Sequence, residues 1–247
     1  MNKLILFVFV FNFSAGCSVH NKNTSFESDP NPAAMAIKKN NKGWNDRHLA
    51  ILESLDTNPE LILIGNSIFH TLVKEDRKEV HTKFLDQYHM VNMGISGDRT
   101  ENVIWRLQNG SLENIDPKVA IILIGTNNTD GNHYLNISTA DQLAGGIWRI
   151  CEIVGEKLPN TKVILMGILP YGYTPNHRND VNMATNRLIS KFPQKNTTIT
   201  YRDIGSIYKD DKGKVNNELM PDYLHPNAKG HQFMFQALEA DIKRLMK

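Results

Sequence analysis

Ser67, Asp222 and His225 are residue types that together can attack an ester. Ser67 offers a hydroxyl nucleophile, and near the C-terminus Asp222 stands three residues before His225. This spacing lets the Asp222 carboxylate reach Nδ1 of His225, which leaves Nε2 as a base for a hydroxyl such as that of Ser67. The same residues also suit structural roles, Ser67 as a helix N-cap and the Asp222–His225 pair as caps in a surface loop. From these residues alone, both interpretations stay open.

Two further segments could stabilise the negative charge that develops on an ester oxygen during attack. Gly97 lacks a side chain, so its backbone N–H can approach a ligand closely. The side-chain amide of Asn127 is a neutral donor, and the backbone N–H of Ser67 would complete this set of oxyanion donors. A turn glycine and an Asx turn are the simpler interpretations of Gly97 and Asn127.

The chain alternates between apolar runs and helix-like stretches, and this alternation predicts where the candidate residues lie. Continuous apolar runs predict strands buried on both faces, at residues 61–64, 90–95, 119–124, 163–169 and 199–204. Helix-like stretches follow at 46–55, 68–87, 99–109, 138–157, 178–192 and 228–246, the last with Asn227 as N-cap. Such alternation predicts an α/β fold with a parallel sheet covered by helices on both faces. Active sites of these sheets gather at the carboxyl ends of the strands, where the candidate residues stand.

The N-terminus differs from the rest of the chain. Lys3 precedes an apolar run that ends near Phe11, and small residues then lead to Cys17. This pattern predicts an export signal over 1–16, and the apolar run is shorter than the ~20 residues of a membrane span. The cysteine resembles the lipidated residue of a lipoprotein; plain secretion and an uncleaved anchor are the alternatives. An Asn-, Lys-, Ser- and Pro-rich stretch then predicts a flexible tether over 17–45, before a single domain over 46–247.

Composition and missing motifs narrow the classes of function. The formal net charge is +2 and Lys and Arg form no long stripe, so we predict no nucleic-acid partner. The sequence has no His-x-x-x-His or Cys-x-x-Cys pattern, so we predict no metal site. It has no phosphate-binding glycine loop either, and we predict no cofactor. Contact with a membrane is predicted only through a lipid on Cys17.

The four blocks, in this order along the chain, resemble the SGNH hydrolases, also called GDSL lipases/esterases. The matching positions are Ser67, Gly97, Asn127 and His225, with Asp222 three residues before the histidine. The segments Gly-Asp-Arg-Thr, Trp-Arg-Leu and Gly-Thr-Asn-Asn between residues 97 and 128 resemble bacterial relatives of the platelet-activating-factor acetylhydrolase catalytic subunits. The resemblance implies a three-layer flavodoxin-like α/β fold with five parallel strands in the order 2-1-3-4-5.

The resemblance also implies a mechanism. His225, oriented by Asp222, would take the proton of Ser67, whose Oγ attacks the ester to form an acyl-enzyme, while Ser67, Gly97 and Asn127 hold the oxyanion. We predict an ester substrate of low molecular weight or on a glycan, with small acyl groups on carbohydrate favoured. Pocket walls are expected from Phe69–Val73, Tyr134-Leu135 and Tyr171–Arg178.

One departure from the family pattern keeps further functions open. The first block reads Gly-Asn-Ser, with Asn66 where such families usually have Asp. This departure favours an inactive glycan-binding protein as one alternative to an esterase. A phospholipid or acyl-ester hydrolase, and an acyltransferase or thioesterase on the same fold, stay open as well.

Overall fold

The computed structural model describes residues 30–247, with a five-stranded parallel sheet at the centre. The strands are β1 Leu61–Gly65, β2 Met90–Asn92, β3 Val119–Leu123, β4 Lys162–Met166 and β5 Ile199–Arg202. They lie in the order β2-β1-β3-β4-β5, which confirms the predicted fold class and strand order. The predicted export signal, Cys17 and the first part of the predicted tether lie outside the described residues.

Helices cover both faces of this sheet. They are α1 Lys42–Leu55, α2 Ser67–His70, α3 Lys78–Val80, α4 Thr100–Gln108, α5 Ala140–Lys157, α6 His177–Ile189 and α7 Ala228–Leu245, with a π-helical turn at His81–Leu85. Short 3-10 turns lie at Pro32–Ala34, Thr71–Val73, Glu75–Arg77, Asp86–Tyr88, Thr126–Thr129, Phe192–Gln194 and Gly205–Tyr208. The predicted N-cap of α7 is confirmed, because the Asn227 side chain accepts a hydrogen bond from the Gly230 N–H at 3.0 Å.

Each strand contributes to two hydrophobic cores, because successive side chains of a strand point to opposite faces. Ile62 and Ile64 of β1 pack with residues of α1, α4, α5 and α6 on one face. Leu61 and Leu63 pack on the other face with α7 and with Val80 of α3. Burial on both faces explains the continuous apolar runs and gives the strand ends a rigid base.

The segment after β1 differs from the single helix predicted over 68–87. Helix α2 ends at His70, and Lys74 has an extended backbone (φ −70°, ψ 143°) before the next turn begins. The Thr71 hydroxyl donates to the Ile68 carbonyl at 3.0 Å and so competes with the backbone bond that would continue the helix. This break turns the chain at the edge of the cavity beside Ser67.

Residues 31–39, here called the N-terminal strap, lie against α4 and α5. The Thr100 hydroxyl donates to the Ala33 carbonyl at 2.7 Å, and the Asn102 amide donates to the Ile37 carbonyl at 2.9 Å. A Cβ atom on Gly146 of α5 would lie 2.4 Å from the Ala33 oxygen, so only glycine permits this approach. The tether expected to reach residue 45 is therefore bound to the domain from residue 31 on, and α1 begins at residue 42.

Candidate active site

A hydroxyl, an imidazole and a carboxylate lie in one row above the carboxyl ends of the strands. The Oγ atom of Ser67 is 2.8 Å from Nε2 of His225, and Nδ1 of His225 is 2.6 Å from Oδ2 of Asp222. At these distances the imidazole can take the serine proton while the carboxylate holds the ring in the required tautomer. The structure thus brings together the three residues predicted to be catalytic, and their catalytic roles stay a prediction.

The loop before α7 shapes the Asp222–His225 pair. Oδ1 of Asp222 accepts the backbone N–H groups of Leu224 at 3.1 Å and His225 at 2.7 Å, which leaves Oδ2 for the ring. Tyr223 between them has a left-handed backbone (φ 57°) that turns the carboxylate back toward the imidazole. Partial burial raises the pKa of Asp222, but hydrogen bonds from the ring and backbone of His225 outweigh this effect and hold the pKa below its usual value. The carboxylate is therefore charged at neutral pH.

Ser67 is free to act because its neighbour caps the helix. The Asn66 side chain accepts the Ile68 N–H at 3.1 Å and is the N-cap of α2. The structural role considered for Ser67, an N-cap, therefore belongs to Asn66. Asp and Asn accept this bond with the same oxygen, so Asn66 retains the capping function of an Asp at this position.

The three predicted oxyanion donors line one cavity with the Ser67–His225–Asp222 row. The volume of this cavity is about 690 Å³, and its lining includes Ser67, Gly97 and Asn127. Gly97 has a left-handed backbone (φ 76°), and its carbonyl accepts from Lys39 Nζ at 2.5 Å and from the Tyr134 hydroxyl at 2.7 Å. One N–H of the Asn127 amide donates to the Asp98 carbonyl at 2.9 Å, which leaves its second N–H for a ligand.

Substitution of Asn127 by alanine is expected to lower kcat for ester hydrolysis by about 100- to 1,000-fold, the usual cost of one oxyanion donor. The fold should persist, because the lost bond to the Asp98 carbonyl stabilises the protein by only about 1 kcal/mol. Steady-state kinetics and thermal unfolding measure the two effects separately. Asn136→Ala, an exposed position on the same loop, is the control. A kcat for Asn127→Ala near that of wild type would remove this amide from the mechanism.

A buried ion network supports the loop that carries Gly97. Asp98 is fully buried, accepts the Trp44 indole N–H at 2.7 Å and pairs with Nη2 of Arg106 at 2.9 Å and Nζ of Lys39 at 3.6 Å. Burial raises the pKa of the Asp98 carboxyl, and the charges of Arg106 and Lys39 oppose this rise. Arg106 belongs to α4, and its fully buried guanidinium forms this ion pair inside the fold. The N-terminal strap brings Lys39 to the same loop.

His70, which the sequence placed only in a predicted pocket wall, is a second residue that supports this loop. Its Nδ1 accepts the backbone N–H of Ser96 at 3.1 Å and lies 2.9 Å from the Ser96 hydroxyl. Burial and the positive charge of Arg47 lower the pKa of His70, so its ring is neutral at neutral pH and can accept at Nδ1. No local sequence pattern could reveal this pair, because 26 residues separate its members.

The predicted pocket walls are found only in part. Thr71 and Tyr134 line the catalytic cavity, whereas Phe69 is buried and Leu135 points outward. Residues of the segment Tyr171–Arg178 other than Pro175 line a neighbouring cavity. Further residues line the catalytic cavity that the sequence did not predict for it: Lys74, Arg77, Ser96, Asp130, His133, Pro221, Leu224 and Asn227.

Residues 30–247 contain no group of three or more His, Cys, Asp or Glu side chains arranged to hold a metal ion. None of the helices in this part of the chain combines the length and apolar character needed to cross a membrane.

Known proteins resemble this chain over most of its length. A family model described as the GDSL-like lipase/acylhydrolase family matches residues 63–233. The platelet-activating factor acetylhydrolase IB subunit alpha2 of Rattus norvegicus is 30% identical over 226 residues, which cover 90% of this chain and 94% of the rat protein. The alpha1 subunit of Homo sapiens is 30% identical over 219 residues, which cover 89% of this chain and 90% of the human protein.

Solved structures share the fold at lower sequence identity. An acetyl xylan esterase superposes with a TM-score of 0.62 and 21% identity, covering 74% of this chain and 98% of that protein. A GDSL-like lipase from Bacteroides thetaiotaomicron superposes with a TM-score of 0.59 and 21% identity, covering 83% of this chain and 95% of that one. At this level of identity, the superpositions support the fold.

Proposed function

The chain belongs to the GDSL-like lipase/acylhydrolase family and is a serine hydrolase of ester bonds, and we propose that it removes small acyl groups, acetyl above all, from carbohydrate esters. The observation that carries this proposal is the lining of the catalytic cavity. Most of its lining residues are polar or charged, and its aliphatic members are only Pro221 and Leu224. A long acyl chain would find no continuous aliphatic wall there, whereas a sugar would find many hydrogen-bonding groups.

The geometry supports one sequence of steps for this hydrolysis. His225 takes the proton of Ser67 as Oγ bonds to the carbonyl carbon, and the oxyanion accepts hydrogen bonds from Ser67, Gly97 and Asn127. The imidazolium, stabilised by Asp222, then gives its proton to the sugar oxygen as the C–O bond breaks. Water, deprotonated by His225, attacks the acyl-enzyme and releases the free acid and Ser67.

A panel of esters tests the acyl preference. We expect kcat/KM for p-nitrophenyl acetate to equal or exceed that for butyrate and octanoate, because added methylene groups would gain little of the ~0.8 kcal/mol that burial of each one can provide. Acetylated xylose and acetylated oligosaccharides should also be substrates, with Ser67→Ala as the control for spontaneous hydrolysis. A kcat/KM that rises with acyl length would instead identify a lipase.

A second candidate substrate is a phospholipid with a short acyl chain. It is favoured by the 30% identity to platelet-activating factor acetylhydrolase subunits and by Lys74, a cation in the cavity lining. The same panel should therefore include a phospholipid with an acetyl group. Preference for that compound over every acetylated sugar would select this candidate.

Export to the cell envelope is a separate proposal, supported by the apolar run and the small residues before Cys17. In a bacterial host, labelled palmitate should enter the wild-type protein and should not enter Cys17→Ala. Equal labelling of both proteins, or of neither, would contradict lipidation of this cysteine.

A further inference from the structure

We propose that a second cavity, next to the catalytic one, binds a further sugar ring of an oligosaccharide substrate; this inference rests on the carbohydrate-ester function proposed above. The second cavity has a volume of about 450 Å³ and lies between the turn at Thr129–Asn132 and the loop Tyr171–Arg178. Asp130 lines both cavities, so the two adjoin. The volume falls within the roughly 300–1,000 Å³ usual for pockets that bind small molecules.

The charges in the wall of this second cavity are already paired. Asp130 and Arg178 are both buried and lie 3.3 Å apart, and Asp130 also bonds the ring of His133 at 2.8 Å. The Arg178 guanidinium lies 3.8 Å from the centre of the Tyr171 ring and donates to the Thr126 hydroxyl at 3.2 Å. Arg178 is thus held by protein partners, and the cavity favours a neutral ligand over a phosphate or carboxylate.

The remaining wall is aromatic and polar, which is the surface that a neutral sugar ring needs. Tyr173 is 56% exposed, so its ring is within reach of a ligand, and Nζ of Lys214 lies 4.9 Å from the centre of that ring. Tyr171 is half-buried and has the Arg178 guanidinium over one face of its ring. The C–H face of a sugar can pack against such rings while its hydroxyls bond to polar groups at the rim. The exposed amide of Asn132 is one such group.

The aromatic wall is also joined to the loop that carries Asp222 and His225. The Gly172 N–H donates to the Tyr223 carbonyl at 3.0 Å, and the rings of Tyr173 and Tyr223 are 5.4 Å apart. Because Tyr223 directly follows Asp222, the second cavity holds a fixed position relative to the catalytic row. A sugar ring bound there can therefore belong to the same chain as the ring whose ester reacts with Ser67.

The dependence of kcat/KM on oligosaccharide length tests this subsite. We expect wild type to hydrolyse acetylated xylotriose with a kcat/KM, per acetyl group, about tenfold above that of acetylated xylose. The ratio between the two substrates should fall toward one in Tyr173→Ala and should persist in Tyr173→Phe, which keeps the ring. Asn132→Ala should lower the ratio severalfold, and Leu49→Ala, an exposed apolar residue on α1, should leave it unchanged.

The ratio separates a binding role from a merely structural one. Tyr173 contacts the catalytic loop, so structural damage would lower the rates for both substrates together and leave their ratio intact, which would overturn the proposal. A length-independent kcat/KM in wild type would overturn it as well. A preference for octanoate esters that is lost in Tyr173→Ala would assign the cavity to an acyl chain and equally refute the sugar site.

Failure of the carbohydrate function can be distinguished from failure of the subsite. Unacetylated xylotriose, cellotriose and the trisaccharide of N-acetylglucosamine can be tested as inhibitors of p-nitrophenyl acetate hydrolysis. Inhibition that weakens in Tyr173→Ala would support the subsite even if no acetylated sugar is hydrolysed. Absence of inhibition by all three, or inhibition of equal strength in wild type and variant, would reject the subsite and leave the esterase proposal standing.

Discussion

Ser67→Ala is expected to lower kcat for p-nitrophenyl acetate by on the order of 10⁴- to 10⁶-fold, since loss of the nucleophile of a serine hydrolase leaves only the oxyanion donors and binding. The Oγ atom of Ser67, 2.8 Å from Nε2 of His225, is the atom that this geometry activates to form the acyl-enzyme. The initial burst of p-nitrophenol should therefore vanish in the variant. A fluorophosphonate probe should label wild type at residue 67 and leave Ser67→Ala unlabelled.

The control for this experiment is Ser206→Ala, which removes an exposed hydroxyl outside the catalytic cavity. It should retain the burst, the probe labelling and a kcat close to that of wild type. A burst that survives in Ser67→Ala would show that another group forms the covalent intermediate. Ser96 also lines the cavity, and peptide mapping of the labelled protein would reveal whether it is that group.

The sheet could be predicted from sequence because its strands are buried on both faces. The apolar run at 90–95 nevertheless overestimated β2, which ends at Asn92. Met93 and Ile95 are buried beyond that end, where their N–H groups still donate to the Leu63 and Gly65 carbonyls of β1 at 2.9 and 3.4 Å. Ile168 and Leu169 are likewise buried beyond the end of β4, since hydrophobicity indicates burial and cannot by itself locate the end of a strand.

The candidate site was predictable where its chemistry needs a particular residue type in a short local pattern. The Asp222–His225 spacing predicted a contact within one turn of chain, and the structure has that contact at 2.6 Å. The contacts that support the Gly97 loop have no such local pattern in the sequence. Lys39 reaches this loop from 58 residues away along the chain, and contacts of that kind depend on the fold as a whole.

The structure also decides which of two adjacent polar residues caps α2. A serine after a strand can cap the next helix or react, and the sequence contains no information on which of the two residues takes the cap. With Asn66 as the cap of α2, the hydroxyl of Ser67 is bonded to His225 instead. This arrangement weakens the case that Asn66 marks an inactive protein, because an uncharged cap and an available nucleophile coexist.

Asp222→Asn is expected to lower kcat by about 10³- to 10⁴-fold while the loop keeps its shape. The amide oxygen of Asn can still accept the N–H groups of Leu224 and His225, which Oδ1 of the carboxylate accepts now. Its NH₂ group then faces Nδ1 of His225, which must act as the acceptor. The proton of the neutral ring therefore moves to Nε2, where it prevents the ring from taking the Ser67 proton.

Exposure of Asp222 to solvent limits the size of the expected loss in kcat. The Asp222 side chain is 57% exposed, so water can partly compensate for the lost charge, and the lower end of the expected range is favoured.

Asp116→Asn, at an exposed position outside the cavity, controls for the change in net charge. Asp222→Ala removes the two backbone contacts as well, so it should lower the melting temperature more than Asp222→Asn does. If Asp222→Asn keeps kcat within about threefold of wild type, then Asp222 shapes the loop and does not orient the base.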